Sequence, residues 1–227
     1  MSPRPPSSGR LTRADERRVE LLAVALELMA ERGYHGASLR ELAKRLGISQ
    51  PSLYHYFASK DELVEQIIEA YSARMLVGAP AFSGDLTQLP DALRRYVFAL
   101  YRDRAHPVFV RFMFSISRIK PRFGRLNREI FVDRPRAAFG PVIEAQAARH
   151  GLDPERVTNV LTAVSNAISL RLMEETVLFD ERPISEETHA YAREVSAMAS
   201  RWLATMIAEH RDAAPAHAPA HTPGVIP

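Results

Sequence analysis

No cysteine occurs among the 227 residues. Disulfides and thiolate metal sites are thereby excluded, and the composition suits a reducing cytoplasm. No apolar run approaches the roughly 20 residues that a membrane span needs. The opening stretch, MSPRPPSSGRLTR, lacks the apolar centre of a secretory signal. A cytoplasmic location with no membrane partner is therefore expected. Signatures of catalysis are missing too: there is no HExxH, no GxSxG, no phosphate-cradling glycine loop and no dinucleotide fingerprint. The eight His residues show no metal spacing, because His217 and His221 stand four apart only within an Ala-Pro tract that cannot hold a helix. Neither an enzyme nor a bound metal or cofactor is expected. Lysine is also scarce: Lys44, Lys60 and Lys120 are the only three among 30 basic residues, a bias of composition rather than of mechanism.

The net charge of +3 does not by itself imply a nucleic-acid partner, but its distribution is uneven. Residues 1–60 hold ten Arg or Lys against six Asp or Glu, an excess of +4, and the remainder is close to neutral. A basic N-terminal module on a neutral body fits a DNA footprint, although a solvated Arg-rich surface has the same count.

What the chain does contain is concentrated between Ser38 and Lys60, SLRELAKRLGISQPSLYHYFASK. Ser38 and Glu41 have the spacing of a capping box, and Leu39, Leu42, Ala43 and Leu46 then form one apolar stripe of a short helix. Gly47 suits the left-handed stop. Ser49 opens a second helix, with Ile48 and Leu53 placed as a hydrophobic staple and Pro51 in the first turn. Leu53 and Phe57 point inward, which turns Pro51 and His55 outward. Ser59 and Glu62 repeat the capping pattern and open a further helix. Helix, short glycine turn, helix is helix-turn-helix chemistry.

The run from about Leu21 to Leu63 resembles the DNA-binding domain of TetR-type transcriptional regulators. The features that carry the resemblance are Gly33-Tyr34, Ser38, Leu42-Ala43, Leu46-Gly47-Ile48-Ser49, Ser52-Leu53-Tyr54, Tyr56-Phe57 and Ser59-Lys60-Asp61-Glu62-Leu63. It implies an all-α protein, with a three-helix helix-turn-helix domain joined by a fourth helix to a C-terminal bundle that binds a ligand and dimerises. It also implies that Gln50, Pro51, Ser52, Tyr54, His55 and Lys60, with Arg40 on the preceding helix, occupy DNA-contacting positions. Gln50 is expected to read base edges from the N-terminus of the recognition helix, as Gln pairs with adenine. Pro51 suits a thymine methyl. Tyr54, His55 and Lys60 are expected to hold phosphate, which positions a protein without specifying sequence. For Tyr54, partial packing against Leu39 or the next helix is the alternative; Tyr56 reads as mainly structural.

The expected organisation is a basic arm over 1–12, a DNA-binding domain with its connecting helix over 13–76, an effector and dimerisation domain over 86–211, and a disordered Ala/Pro/His tail over 212–227. Helical segments are expected near 86–105, 107–119, 126–150, 154–179 and 186–210, with Pro135 and Pro141 breaking or kinking the third. Aromatics crowd the middle helices, and Tyr101, Phe109, Phe112 and Met113 are candidates for a ligand pocket, with plain core as the alternative. His106, Arg111 and Arg118 are candidate anchors for an acidic ligand. Val164 and Ile168 on one helix and Val195, Met198 and Trp202 on the next are candidates for an isologous dimer interface, unless both faces bury within one subunit. The reading that emerges is a homodimeric regulator of a palindromic double-stranded operator. Repression is expected to be relieved by an unidentified small molecule. A helical adaptor that does not bind DNA is the rival.

Overall fold

A computed structural model of the chain describes residues 13–77, 84–179 and 183–213. The proposed arm over 1–12, residues 78–83 and 180–182, and the tail beyond 213 lie outside these residues. Helices α1 (Arg13–Gly36), α2 (Leu39–Arg45), α3 (Gln50–Tyr54) and α4 (Lys60–Val77) come first. A 3₁₀ turn at Leu86–Gln88 leads into α5 (Leu89–Arg102), α6 (Ala105–Ser117), α7 (Pro121–Arg128), α8 (Arg134–Arg149), α9 (Pro154–Met173) and α10 (Glu186–Ala213). Among the described residues there is no strand, and no helix is long and apolar enough to cross a membrane.

The ends of these helices follow from local chemistry. Gly33, at φ 68°, interrupts α1 before its last turn, so Tyr34 swings inward and is buried. Asp153 caps α9 by accepting from the Glu155 amide at 3.0 Å, with Pro154 in the first turn. The Ser185 hydroxyl accepts from the Thr188 amide at 3.2 Å and opens α10.

The two prolines expected to disrupt one segment behave differently. Pro135 falls in the first turn of α8, immediately after a π-helical turn at Glu129–Asp133 whose wider ring of backbone bonds separates α7 from α8. Pro141 lies inside α8 without ending it. Gly140 precedes it, and a residue without Cβ escapes much of the clash that proline imposes on its predecessor. The helical path also starts earlier than expected, at Pro121 rather than near 126.

Among the described residues, three apolar clusters hold the bundle. The first gathers Leu21, Leu26, Leu42, Leu53, Phe57 and Ile67 from α1–α4 and their turns, and continues without a gap into Phe109, Phe112, Met113 and Phe123 of α6 and α7. The N-terminal and C-terminal halves therefore share one core rather than meeting across a linker. The second cluster joins α5, α9 and α10 through Val97, Phe98, Ile168, Leu172 and Ala192. The third seals one end, where Leu86 and Leu89 meet Ala147, Val157 and Leu203.

Candidate nucleic-acid interface

The turn between α2 and α3 is closed by its own backbone. Gly47 adopts φ 64°, its amide donates to the Lys44 carbonyl at 3.2 Å, and the Ile48 amide donates to the Ala43 carbonyl at 3.1 Å. That pair of bonds is the Schellman arrangement, which fixes the direction in which the chain leaves α2. Ser38 Oγ accepts from the Glu41 amide at 3.0 Å at the start of α2. Glu41 does not reciprocate; its carboxylate faces Arg45 at 3.8 Å. Ser49 Oγ accepts from the Ser52 amide at 3.2 Å and starts α3. At the start of α4, Ser59 Oγ accepts from the Glu62 amide at 3.1 Å, while the Glu62 carboxylate accepts from the Ala58 amide at 2.7 Å.

Leu53 and Phe57 are each 1% exposed and anchor α3 into the first core cluster. That anchoring leaves Gln50, Pro51, Tyr54 and His55 on the outside, with Ser52 half-buried beside them. Tyr54 is 48% exposed, which disfavours the packing alternative. Arg40 is exposed on α2, and Tyr56 is partly buried against the core. Six of the seven candidate DNA contacts thus stand at or near the surface of α2 and α3. Lys60 differs: its ammonium lies 4.5 Å over the Tyr34 ring, and burial lowers its pKa. It must swing away from that ring to meet a phosphate.

Behind the recognition helix stands a charged junction that sequence reasoning did not find. Lys120, at the head of α7, donates to both carboxylate oxygens of Asp61 on α4, at 2.7 and 2.6 Å, and to the Tyr34 hydroxyl at 3.1 Å. Tyr34 itself donates to Asp61. The Arg122 guanidinium adds charge 2.9 Å from Asp61 and 3.3 Å from Glu65, without hydrogen-bond geometry to either. Hydrogen bonds from Lys120 and Tyr34 hold the Asp61 carboxyl below its ordinary range.

The expected ligand residues divide. A cleft of about 290 Å³ opens between α4, α5 and α6. Tyr71, Arg74 and Met75 face it from α4, Tyr96 and Asp103 from α5 and its C-cap, and His106 and Phe109 from α6. Of the four candidates only Phe109 lines it. Phe112 and Met113 are wholly buried in the first cluster, and Tyr101 is buried in the second. Helical spacing alone cannot separate the wall of a cleft from the core one turn away. Among the proposed polar anchors, Arg118 is exposed elsewhere and Arg111 donates to the Val177 carbonyl at 3.1 Å, so His106 alone reaches the cleft.

The candidate interface residues divide as well. Val164 and Ile168 are buried within the subunit against α5 and α10, and Val195 is partly buried on the same cluster. The apolar stripe read from the sequence is the inward face. Met198, at 56% exposure, and Trp202, at 41%, do lie on the surface.

Residues 21–67 match the sequence profile of the family described as bacterial regulatory proteins of the tetR family. Residues 21–67 are a TetR-type helix-turn-helix segment. Over 87 residues it is 38% identical to the HTH-type transcriptional activator FasR of Mycolicibacterium smegmatis, a match that covers 38% of this chain and 40% of the relative. Over 57 residues it is 42% identical to the HTH-type transcriptional repressor KstR2 of Mycobacterium tuberculosis, covering 25% of this chain and 28% of the relative. The matched segments thus span less than half of these relatives. The TetR-type fold extends further than the sequence likeness. GusR of Salmonella enterica superimposes with a TM-score of 0.62 over 86% of this chain and 100% of its own, at 22% identity.

Proposed function

We propose that this chain is a cytoplasmic, homodimeric transcriptional regulator that binds a palindromic operator through α3 and releases it when a small molecule enters the C-terminal bundle. The observation that carries the reading is the exposed row Gln50, Pro51, Tyr54 and His55, set on a helix whose opposite side is locked by Leu53 and Phe57. A row so placed suits the major groove, with Gln50 at the end that meets base edges. Arg40 lies beside it for phosphate.

Dimerisation is supported by the outer surface of the last two helices. From Val157 to Leu170 helix α9 has no charged residue, yet Thr162, Ala163, Asn166 and Leu170 are exposed. Alongside, α10 exposes Tyr191, Met198 and Trp202. A face uncharged along α9, with an exposed Trp on α10, suits an isologous helical interface. The proposed interface therefore keeps Met198 and Trp202, adds Leu170 and Tyr191, and drops Val164 and Ile168. Two copies paired there would carry two recognition helices, and a spacing of ~34–36 Å would fit successive major grooves.

Of the two relatives matched over the DNA-binding segment, one is named an activator and one a repressor. The shared segment reads DNA; the sign of regulation is set by where the site lies. We assign repression, with release as a population shift between DNA-competent and incompetent spacings. A ligand that prefers the incompetent form ~100-fold contributes ~2.7 kcal/mol to that shift.

Selection of bound sequences from a random DNA pool at near-physiological salt tests the reading. Enrichment of a palindrome is the expected result. A folded protein that enriches nothing, with or without cell extract supplying small molecules, would refute DNA reading.

A further inference from the structure

The cleft between α4, α5 and α6 contains a polar side chain that the fold itself does not use. His106 is 7% exposed and lines the cleft. Its ring touches the Tyr101 ring edge-on, with centroids 4.7 Å apart, and among the described residues no hydrogen bond reaches either ring nitrogen. Buried polar groups are nearly always hydrogen-bonded, and one that faces a cleft without a partner marks where a partner binds. The charged groups at the site and one of its hydroxyls are occupied. Arg74 and Asp103 pair with each other at 3.0 Å, and the Tyr96 hydroxyl donates to the Met75 carbonyl.

The occupied charges decide what can enter. An anion would need Arg74 to leave Asp103 and would itself face that carboxylate. A cation would meet Arg74 in the same way. Burial pushes the His106 pKa down to about 4, so the imidazole is neutral, with one nitrogen as donor and the other as acceptor. A hydroxyl group both donates and accepts and so satisfies either tautomer. The remaining wall is apolar: beside Met75, Ala99 and Leu100, the rings of Tyr71 and Phe109 stack with centroids 5.5 Å apart and planes inclined by 16°. A cleft of about 290 Å³ sits at the low end of ligand pockets, which run from roughly 300 to 1,000 Å³. One or two fused rings fill such a space.

We propose that the cleft is a binding site for a neutral, planar, hydroxylated ring compound whose hydroxyl group pairs with His106 while its rings lie along Tyr71 and Phe109. This rests on the reading of the chain as a ligand-responsive regulator, and it names the ligand class for that reading. Because Tyr71, Arg74 and Met75 belong to α4, an occupant touches the helix that begins at Lys60, directly after the recognition helix.

The test is calorimetry on the purified full chain with three probes of one skeleton: 2-naphthol, naphthalene and 2-naphthoate. The expected order places 2-naphthol at least tenfold tighter than either of the others. His106→Phe is expected to erase the preference for 2-naphthol over naphthalene, and His106→Gln to keep part of it. Ala99→Trp, an exposed position on the cleft wall, is expected to abolish binding of all three without a change in fold. Tightest binding of 2-naphthoate, a preference unmoved by His106→Phe, or no binding of any probe would each overturn the assignment. The selection on random DNA, run on the same preparation, separates the two readings. A selected palindrome with no naphthol binding removes the ligand class alone. Naphthol binding that depends on His106, in a protein that selects nothing, removes the regulator reading alone.

Discussion

Lys120 and Asp61 tie the DNA-reading half to the C-terminal half: the Lys120 ammonium lies within 2.7 Å of both Asp61 carboxylate oxygens, across 59 positions of sequence. Asp61 belongs to the first turn of α4, directly after the recognition unit, and Lys120 precedes α7. With Tyr34 and Arg122 around it, the pair fixes the angle at which α1 and α4 stand against α6 and α7. Both side chains are about one-third exposed, so solvent screens the pair. A double-mutant cycle with Asp61→Asn and Lys120→Met is expected to show coupling at low salt that shrinks at 1 M salt. The sign with pH follows from the lowered Asp61 pKa: this contribution is present above the unfolded carboxyl value and is lost as pH falls through the folded one. Urea denaturation of the four proteins measures it, and additivity of the two single changes would show that the pair does not bind the halves together.

Gln50 and Arg40 are both exposed but should fail differently when removed. Gln50→Ala is expected to weaken operator binding by about 1–3 kcal/mol and leave non-specific binding nearly intact. Arg40→Ala is expected to weaken all sequences alike and to flatten the salt slope by about one unit. Titrations of operator and scrambled duplex at two salt concentrations read both effects. Uniform weakening by both substitutions would remove Gln50 from the base-reading role.

The DNA-reading unit was legible because each of its features is local. The hydroxyls of Ser38, Ser49 and Ser59 accept from amides three residues on, and the Gly47 amide donates to a carbonyl three residues back. Nearly all helical segments of the second half were legible for the same reason, from their spacing and from caps such as Asp153. What spacing does not contain is the identity of the partner surface. Val164 and Ile168 make a stripe that would serve an interface or a core equally well, and only packing against α5 assigns it inward. Phe112 and Met113 share that ambiguity, and packing places them in the first cluster. The Tyr34–Asp61–Lys120 junction was hidden further, since it joins three remote segments with no periodic signal. At Gly140-Pro141 the proline signal alone does not tell a break from a kink, and α8 runs through Pro141 without ending.

The glycine of the helix-turn-helix turn should be costly to replace. Gly47 has φ 64°, and a Cβ there would meet nothing within 4 Å. Gly47→Ala therefore carries only the backbone penalty of a left-handed residue, about 1–2 kcal/mol. Denaturation midpoints should show that loss, and operator affinity should fall with it. A neutral substitution would mean that the Schellman bonds from Gly47 and Ile48 do not set the turn.

The two classes of apolar residue on α9 and α10 should separate stability from assembly. Ile168→Ala removes buried volume and is expected to cost about 2–4 kcal/mol of subunit stability. Trp202→Ala removes a side chain 41% exposed, and is expected to leave the thermal transition of the monomer in place while shifting the sedimenting species from about twice 25.5 kDa to 25.5 kDa. If Trp202→Ala stays dimeric at micromolar concentration, the interface lies elsewhere.

His106 should make the protein sensitive to mild acid in a way that can be isolated. Its folded pKa is pushed down from 6.5 to about 4 by burial, with Asp103 opposing that shift. Below pH 6.5 the unfolded chain binds a proton that the folded chain refuses, so stability is greatest above 6.5 and declines as pH falls towards 4. At about 1.4 kcal/mol per pH unit, the decline attributable to this one group reaches roughly 2 kcal/mol at pH 5 and roughly 3 kcal/mol by pH 4. Carboxylates titrate across the same range, so the informative quantity is the difference between wild type and His106→Gln, which shares every other group. Urea midpoints at pH 7 and pH 5 are expected to fall further for wild type than for the variant by that amount. Parallel curves would mean that His106 accepts a proton in the folded state, and a charged imidazole in the cleft would favour an anionic ligand over the neutral hydroxyl compound.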